Sequence, residues 1–137
     1  MVDKKRVRLV YEAMDGWPAF VLHISKRLTA AADDFRVGED VRAVKLLRAG
    51  IDDLSDFLNW VGEIGHVMEE CGKPIPDFGR WQQRLSDGAK SVREAVSRGD
   101  FTTAADRIDA GLVGELMESG VLADQMMGDL LELREAA

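Results

Sequence analysis

Two short stretches of this sequence have a spacing that could support reactive chemistry. Glu63-Ile64-Gly65-His66 is a Glu-x-x-His step, which on a helix puts a carboxylate and an imidazole on one face, as di-metal carboxylate bundles require. A complete centre needs a second such step, and the only other histidine is His23. Glu12, Glu94 and Glu115 could bring carboxylates from other helices. The apolar seam through Val61, Gly65 and Met68, however, turns Glu63 towards the outside. His23-Ile24-Ser25-Lys26 sets an imidazole three residues before a lysine, a pair that could hold a transferred phosphoryl group. The single cysteine, Cys71, follows Glu69 and Glu70 at a helix end; acidic neighbours and a helix C-terminus disfavour the reactive thiolate. No P-loop, dinucleotide glycine fingerprint or paired Cys/His metal spacing is present, and no cofactor is expected.

These residues must be positioned by helices. Only three prolines occur, and Val, Ile and Thr do not alternate with polar residues as strands require. Over Val41–Cys71, Val44, Leu47, Ile51, Leu54, Leu58, Val61, Gly65 and Met68 recur in steps of three and four, the seam of a helix packed lengthwise on others. Phe57, Trp60, Ile64 and Val67 add a second apolar stripe to its later half. Upstream, Val7, Val10, Tyr11 and Met14 share a helical face, and Asp15-Gly16-Trp17-Pro18 interrupts or kinks it. Pro18 suits the first turn of a new helix. That helix carries Phe20, Ile24, Leu28, Ala31 and Phe35 and closes at Gly38. Beyond the Lys73-Pro74-Ile75-Pro76 connection, Asp77 is the expected N-cap of a helix with Trp81, Leu85, Ala89, Val92 and Val96 on its buried face. After Gly99, Asp100 should cap the last helix, whose expected inner positions include Ala105, Ile108, Leu112, Leu116, Val121, Met127 and Leu130.

The chain also matches itself at an offset of 61. Phe20, Ile24, Leu28, Ala31 and Phe35 fall on Trp81, Leu85, Ala89, Val92 and Val96; Gly38-Glu39 falls on Gly99-Asp100; Ala49-Gly50-Ile51 falls on Ala110-Gly111-Leu112. The expected fold is all-α: one domain over residues 1–137, an antiparallel up-down-up-down four-helix bundle of two similar αα-hairpins (17–71 and 78–135), with an extra N-terminal helical segment. Gly50 and Gly111 should mark close backbone approaches, which would offset the roughly 1 kcal/mol a mid-helix glycine costs.

With 137 residues, 46% apolar and 31% charged, the chain can bury a real core. Its net charge of −7 opposes nucleic-acid binding, and the one basic cluster is Lys4, Lys5, Arg6 and Arg8 beside Asp3. No stretch approaches the roughly 20 apolar residues of a membrane span. A cytoplasmic location is expected, with a protein partner or a second copy of the chain as the binding partner.

The long helices should overshoot their shorter partners, leaving one end of the bundle with three helices where the other has four. That end gathers Met14, Trp60, Ile64, Met68, Met126, Met127, Leu130 and Leu131, the candidate protein-binding or dimer surface. Short acidic helices, Gly-acid turns and a Met/Leu-rich last helix resemble small bacterial helical-bundle proteins and flagellar-type export chaperones. That resemblance implies an apolar helix face holding a segment of another protein, and it carries over no site residue. The function expected is therefore a non-enzymatic interaction module, a small chaperone or adaptor. Histidine phosphotransfer through His23 is the alternative, although sites of that family carry a glycine where this chain has Arg27. A ferritin-like metal bundle using Glu63 and His66 ranks third.

Overall fold

The computed structural model describes residues 4–75 and 77–136. Asp3, counted with the basic cluster, and Pro76, counted with the connection, lie outside the described residues. The chain is all-helical, with no strand among the described residues. Helix α1 (Lys4–Ala13) leads through a 3-10 turn (Met14–Gly16) into α2 (Trp17–Arg36) and α3 (Asp40–Glu70). Helix α4 (Phe78–Ser97) follows, then α5 (Phe101–Ile108), a π-helical stretch (Asp109–Val113) and α6 (Gly114–Ala136). Four long helical runs make a bundle, and α1 lies against α6 and α3.

Helix α2 is the hub, since α3, α5, the π stretch and α6 all approach its backbone. Its buried stripe of Trp17, Val21, Ile24, Leu28, Ala31, Ala32 and Phe35 explains why: small residues at Ala31 and Ala32 admit neighbours on two sides. Gly16 keeps a right-handed conformation, so α1 and α2 are bent rather than broken apart, and Pro18 stands in the first turn of α2.

The two short turns repeat each other atom for atom. At the end of α2, the amides of Val37, Gly38 and Glu39 donate to the carbonyls of Asp33, Phe35 and Asp34. At the end of α4, the amides of Arg98, Gly99 and Asp100 donate to those of Glu94, Val96 and Ala95. Gly38 and Gly99 take φ of 82° and 72°, a region open to glycine, so both helices can stop and reverse. Three boundaries around these turns recur 61 positions later: Trp17 with Phe78, Arg36 with Ser97, Asp40 with Phe101.

Four expectations need correction. The seam of α3 is shifted by one residue in alternate turns: Ala43, Gly50, Phe57 and Ile64 are buried with Leu47, Leu54, Val61 and Met68, while Val44, Ile51, Leu58 and Gly65 are only half-buried. The cause is proximity to α2, because a Cβ on Gly50 would stand 2.7 Å from Leu28 Cδ2. The glycines mark approaches within each consecutive helix pair, not a crossing of the long helices: the Cβ position of Gly88 in α4 is 2.6 Å from the Gly111 carbonyl oxygen. Asp77 sits at φ 58° and makes no side-chain cap, whereas Asp100 accepts from the Thr103 amide at 3.2 Å. Val121, expected inside, is 76% exposed, since the buried run Leu112, Leu116, Ser119, Met126, Leu130 and Leu133 keeps steps that one helix face can hold and Val121 does not share.

Candidate functional site

The eight residues of the expected surface belong mostly to the interior. Met14, Ile64, Met68, Met126 and Leu130 are buried in the main core, Trp60 and Met127 are half-buried against it, and Leu131 is 40% exposed. The physical reason is α1, which packs on α6 and α3 and buries Val7 and Met14 there. An ion pair and a cation–π contact hold this cover in place: Arg6 reaches Glu70 across α1 and α3. Arg134 lies 5.4 Å over the Tyr11 ring between α6 and α1. Most of the end expected to be open is therefore covered, with Leu131 and the edges of Trp60 and Met127 left at the surface.

At its centre stands an aromatic cluster. The Trp17 ring meets Phe57 edge-on at 5.1 Å, Trp60 at 5.7 Å and Trp81 at 6.5 Å, which ties α2, α3 and α4 together. Its indole N–H donates to the buried Ser119 hydroxyl at 3.1 Å, and that hydroxyl donates to the Leu116 carbonyl. Ser119 had no signal in the apolar pattern; only a buried tryptophan in need of an acceptor points to it.

The reactive candidates are dispersed. His23 is exposed on α2, with its Nε2 3.3 Å from Asp53 Oδ2. Arg27 holds the same carboxylate oxygen at 2.6 Å. Glu63 and His66 are both exposed on α3, and no group of three His, Cys, Asp or Glu side chains among the described residues could hold a metal ion. Cys71 is a half-buried free thiol.

Two surface grooves stand out instead. One, of about 370 Å³, lies between α2 and α6 and is walled by Pro18, Val21, Leu22, Met117, Gly120 and Ala123, with Asp124 as its only charged residue. Leu22 and Met117 are 53% and 63% exposed on its walls, and Val121 lies next to it in sequence. Gly120 is a mid-helix glycine whose Cβ position is free of any atom within 4 Å, so the fold itself makes no use of the space. The other groove, of about 440 Å³, separates α3 from α4. Its floor is Val44, Leu47, Ile51 and Val96, and its charged residues are Arg48, Arg93 and Asp52. No helix of the described residues is long and apolar enough to cross a membrane. Comparison with protein-family models, with curated proteins and with solved structures finds no match, so the likeness to export chaperones rests on sequence pattern.

Proposed function

We propose that this chain is a non-enzymatic protein-interaction module, a small chaperone or adaptor that takes an apolar segment of a partner protein. In this reading it is a cytoplasmic, antiparallel up-down-up-down bundle of two related αα-hairpins with α1 as an added cover. The observation that carries the function is the α2–α6 groove. Leu22 and Met117 are two large apolar side chains exposed on its walls, and the Cβ position of Gly120, which also lines it, meets no atom within 4 Å. A solvent-facing apolar strip of this kind on an otherwise charged protein is the usual mark of an interaction site. The surface first expected, from Met14 to Leu131, supports it only through Leu131 and the outer edges of Trp60 and Met127.

The test combines a hydrophobic dye with light scattering. The native chain should enhance dye fluorescence or self-associate through this groove, and Leu22→Ser with Met117→Ser should remove most of either effect while leaving the helical content intact. A monomer that binds no dye would overturn the reading.

One observation favours the alternative, phosphotransfer at His23: the imidazole is exposed. Against it stands Asp53, whose carboxylate faces Nε2 and would repel a phosphoryl group there. Incubation with acetyl phosphate and a search for phosphohistidine decides between the two readings.

A further inference from the structure

The 61-residue correspondence pairs two seams of the bundle. Helix α2 packs on α5, and the counterparts of these two helices are α4 and the first turns of α3. The α2–α5 seam is closed. Phe35 stacks on Phe101 with ring centroids 5.3 Å apart, and the Arg36 guanidinium reaches Asp106 at 3.0 Å and Asp109 at 2.7 Å. The matching positions of the α3–α4 seam are Val96 and Asp40 for the two phenylalanines, Ser97 for the arginine, and Lys45 and Arg48 for the two aspartates. Nothing there can close in the same way. The backbones of α3 and α4 scarcely approach each other, meeting instead through the Phe57 and Trp81 rings at the far end.

The charges explain why this seam stays open and what it would accept. Arg48 on α3 and Arg93 on α4 face one groove, and Lys45 adds a third cation where the groove continues along α3 past Asp40 and Val41. Lys45, Arg48 and Arg93 make no ion pair or hydrogen bond among the described residues. In contrast, Arg27, Arg36, Arg42, Lys73 and Arg84 all hold carboxylates. Like charges on facing walls keep the walls apart. Asp40, at the far end of the continuation, has a buried Oδ1 with no hydrogen-bond partner; as an acceptor it suits a donor there, so the carboxylates of a ligand fall to the cations further along. Asp52 is the only acidic residue lining the larger groove.

We propose that the α3–α4 groove binds an acidic amphipathic helix of a partner protein, seated on Val44, Ile51 and Val96 with its carboxylates on Lys45, Arg48 and Arg93. The closed seam of this same chain shows the pattern that fits: a large apolar side chain followed by carboxylates five and eight positions later, as in Phe101, Asp106 and Asp109. This site is distinct from the α2–α6 groove and does not depend on it. The net charge of −7 works against an acidic partner at long range, but screening over about 10 Å at 0.1 M salt leaves the local cations in control.

The probe is a fluorescein-labelled, alanine-rich helical peptide of about 18 residues, long enough to hold helix, with one Phe and two Glu at that spacing. A control peptide carries Lys in place of both Glu. Fluorescence anisotropy with the full chain should show the acidic peptide binding at least about tenfold tighter than the control, since each charge-assisted contact carries a large share of such binding. Arg48→Glu with Arg93→Glu should abolish that preference, Arg48→Gln with Arg93→Gln should reduce it, and Arg80→Glu, outside the groove, should leave it unchanged. The three side chains altered, Arg48, Arg93 and Arg80, are exposed, and circular dichroism confirms folding of each variant. Equal binding of the two peptides, or undiminished binding by the Glu variants, overturns the proposal. So does retention of the chain on phosphatidylserine vesicles with no peptide binding, which would make the groove a lipid headgroup site. Leu22→Ser with Met117→Ser should leave peptide binding intact, so the failure of either reading is separable from the other.

Discussion

The α2–α3 half and the α4–α6 half share a backbone plan and differ in how each is locked. Both end their first helix through the same three hydrogen bonds at Gly38 and Gly99. In the first half the turn is pinned by a two-pronged ion pair, with Arg42 Nε and Nη2 donating to the Asp34 oxygens at 2.8 and 2.9 Å. In the second it is pinned by the Asp100 cap on Thr103. Within the first pair Gly50 makes room for the Leu28 side chain, whereas within the second Gly88 and Gly111 bring two backbones together. The comparison teaches that main-chain geometry is kept where a turn demands it, while side chains are free to close one seam and leave its counterpart open.

The largest effect should come from the glycines. Gly88→Ala puts a methyl group 2.6 Å from a carbonyl oxygen of the backbone, which can yield only by moving α4 away from the π stretch. A cost of about 2–4 kcal/mol is expected from overpacking of this kind. Gly50→Ala meets the buried Leu28 side chain, Cδ2 at 2.7 Å and Cγ at 3.1 Å, rather than backbone, so its cost should be smaller, about 1–2 kcal/mol, and partly offset by the better helix propensity of alanine. Urea midpoints of the two variants check the order; a costlier Gly50→Ala would mean the tighter approach lies in the first pair.

A second, smaller effect should follow from copying the open seam into the closed one. Phe101→Ala removes the ring stacked on Phe35 and should cost about 2 kcal/mol by thermal or urea unfolding. Adding Arg36→Ser, which reproduces Ser97, should lower stability further and in a salt-dependent way, since Arg36 bonds two carboxylates at the surface. A Phe101→Ala variant as stable as the native chain would show that the aromatic stack does not hold α2 to α5.

Much of the helical layout is legible in the sequence because the signals are local. Gly38, Gly99 and Gly72 all take positive φ where the pattern ends a helix, and Pro18 sits in the first turn of α2 as its missing amide requires. The choice between Ala43/Gly50 and Val44/Ile51 for the α3 seam was not legible, because both sets share the period and the larger residues look more core-like. Small residues win where helices touch, and their larger neighbours are then left to floor the α3–α4 groove. The π stretch at Asp109–Val113 likewise has no sequence mark beyond Gly111, whose role depends on Gly88 across the interface. The burial of most of the Met-rich end was hidden for the same reason: that end is apolar in sequence, and only the position of α1 decides that it is covered.

The smallest effect, and the most direct contrast between the two turns, is pH-dependent. Hydrogen bonds from Arg42 hold Asp34 below the usual carboxylate range, and the hydrogen bond with Thr103 does the same for Asp100. A carboxylate whose folded pKa lies below its unfolded value contributes stability that is complete above the unfolded value, near about 3.9, and disappears as the pH falls through the folded one. Asp34→Asn and Asp100→Asn should therefore both destabilise at pH 7, and each should converge on the native chain as the pH is lowered towards about 2. The Asp34 change should be the larger of the two, since it breaks up a two-pronged bond with a guanidinium, whereas an asparagine at position 100 can still cap Thr103 and gives up only the charge. Urea midpoints at pH 7, 4 and 2.5 measure this; a deficit that does not shrink with acid would mean that packing around Asp34, not its charge, holds the first turn.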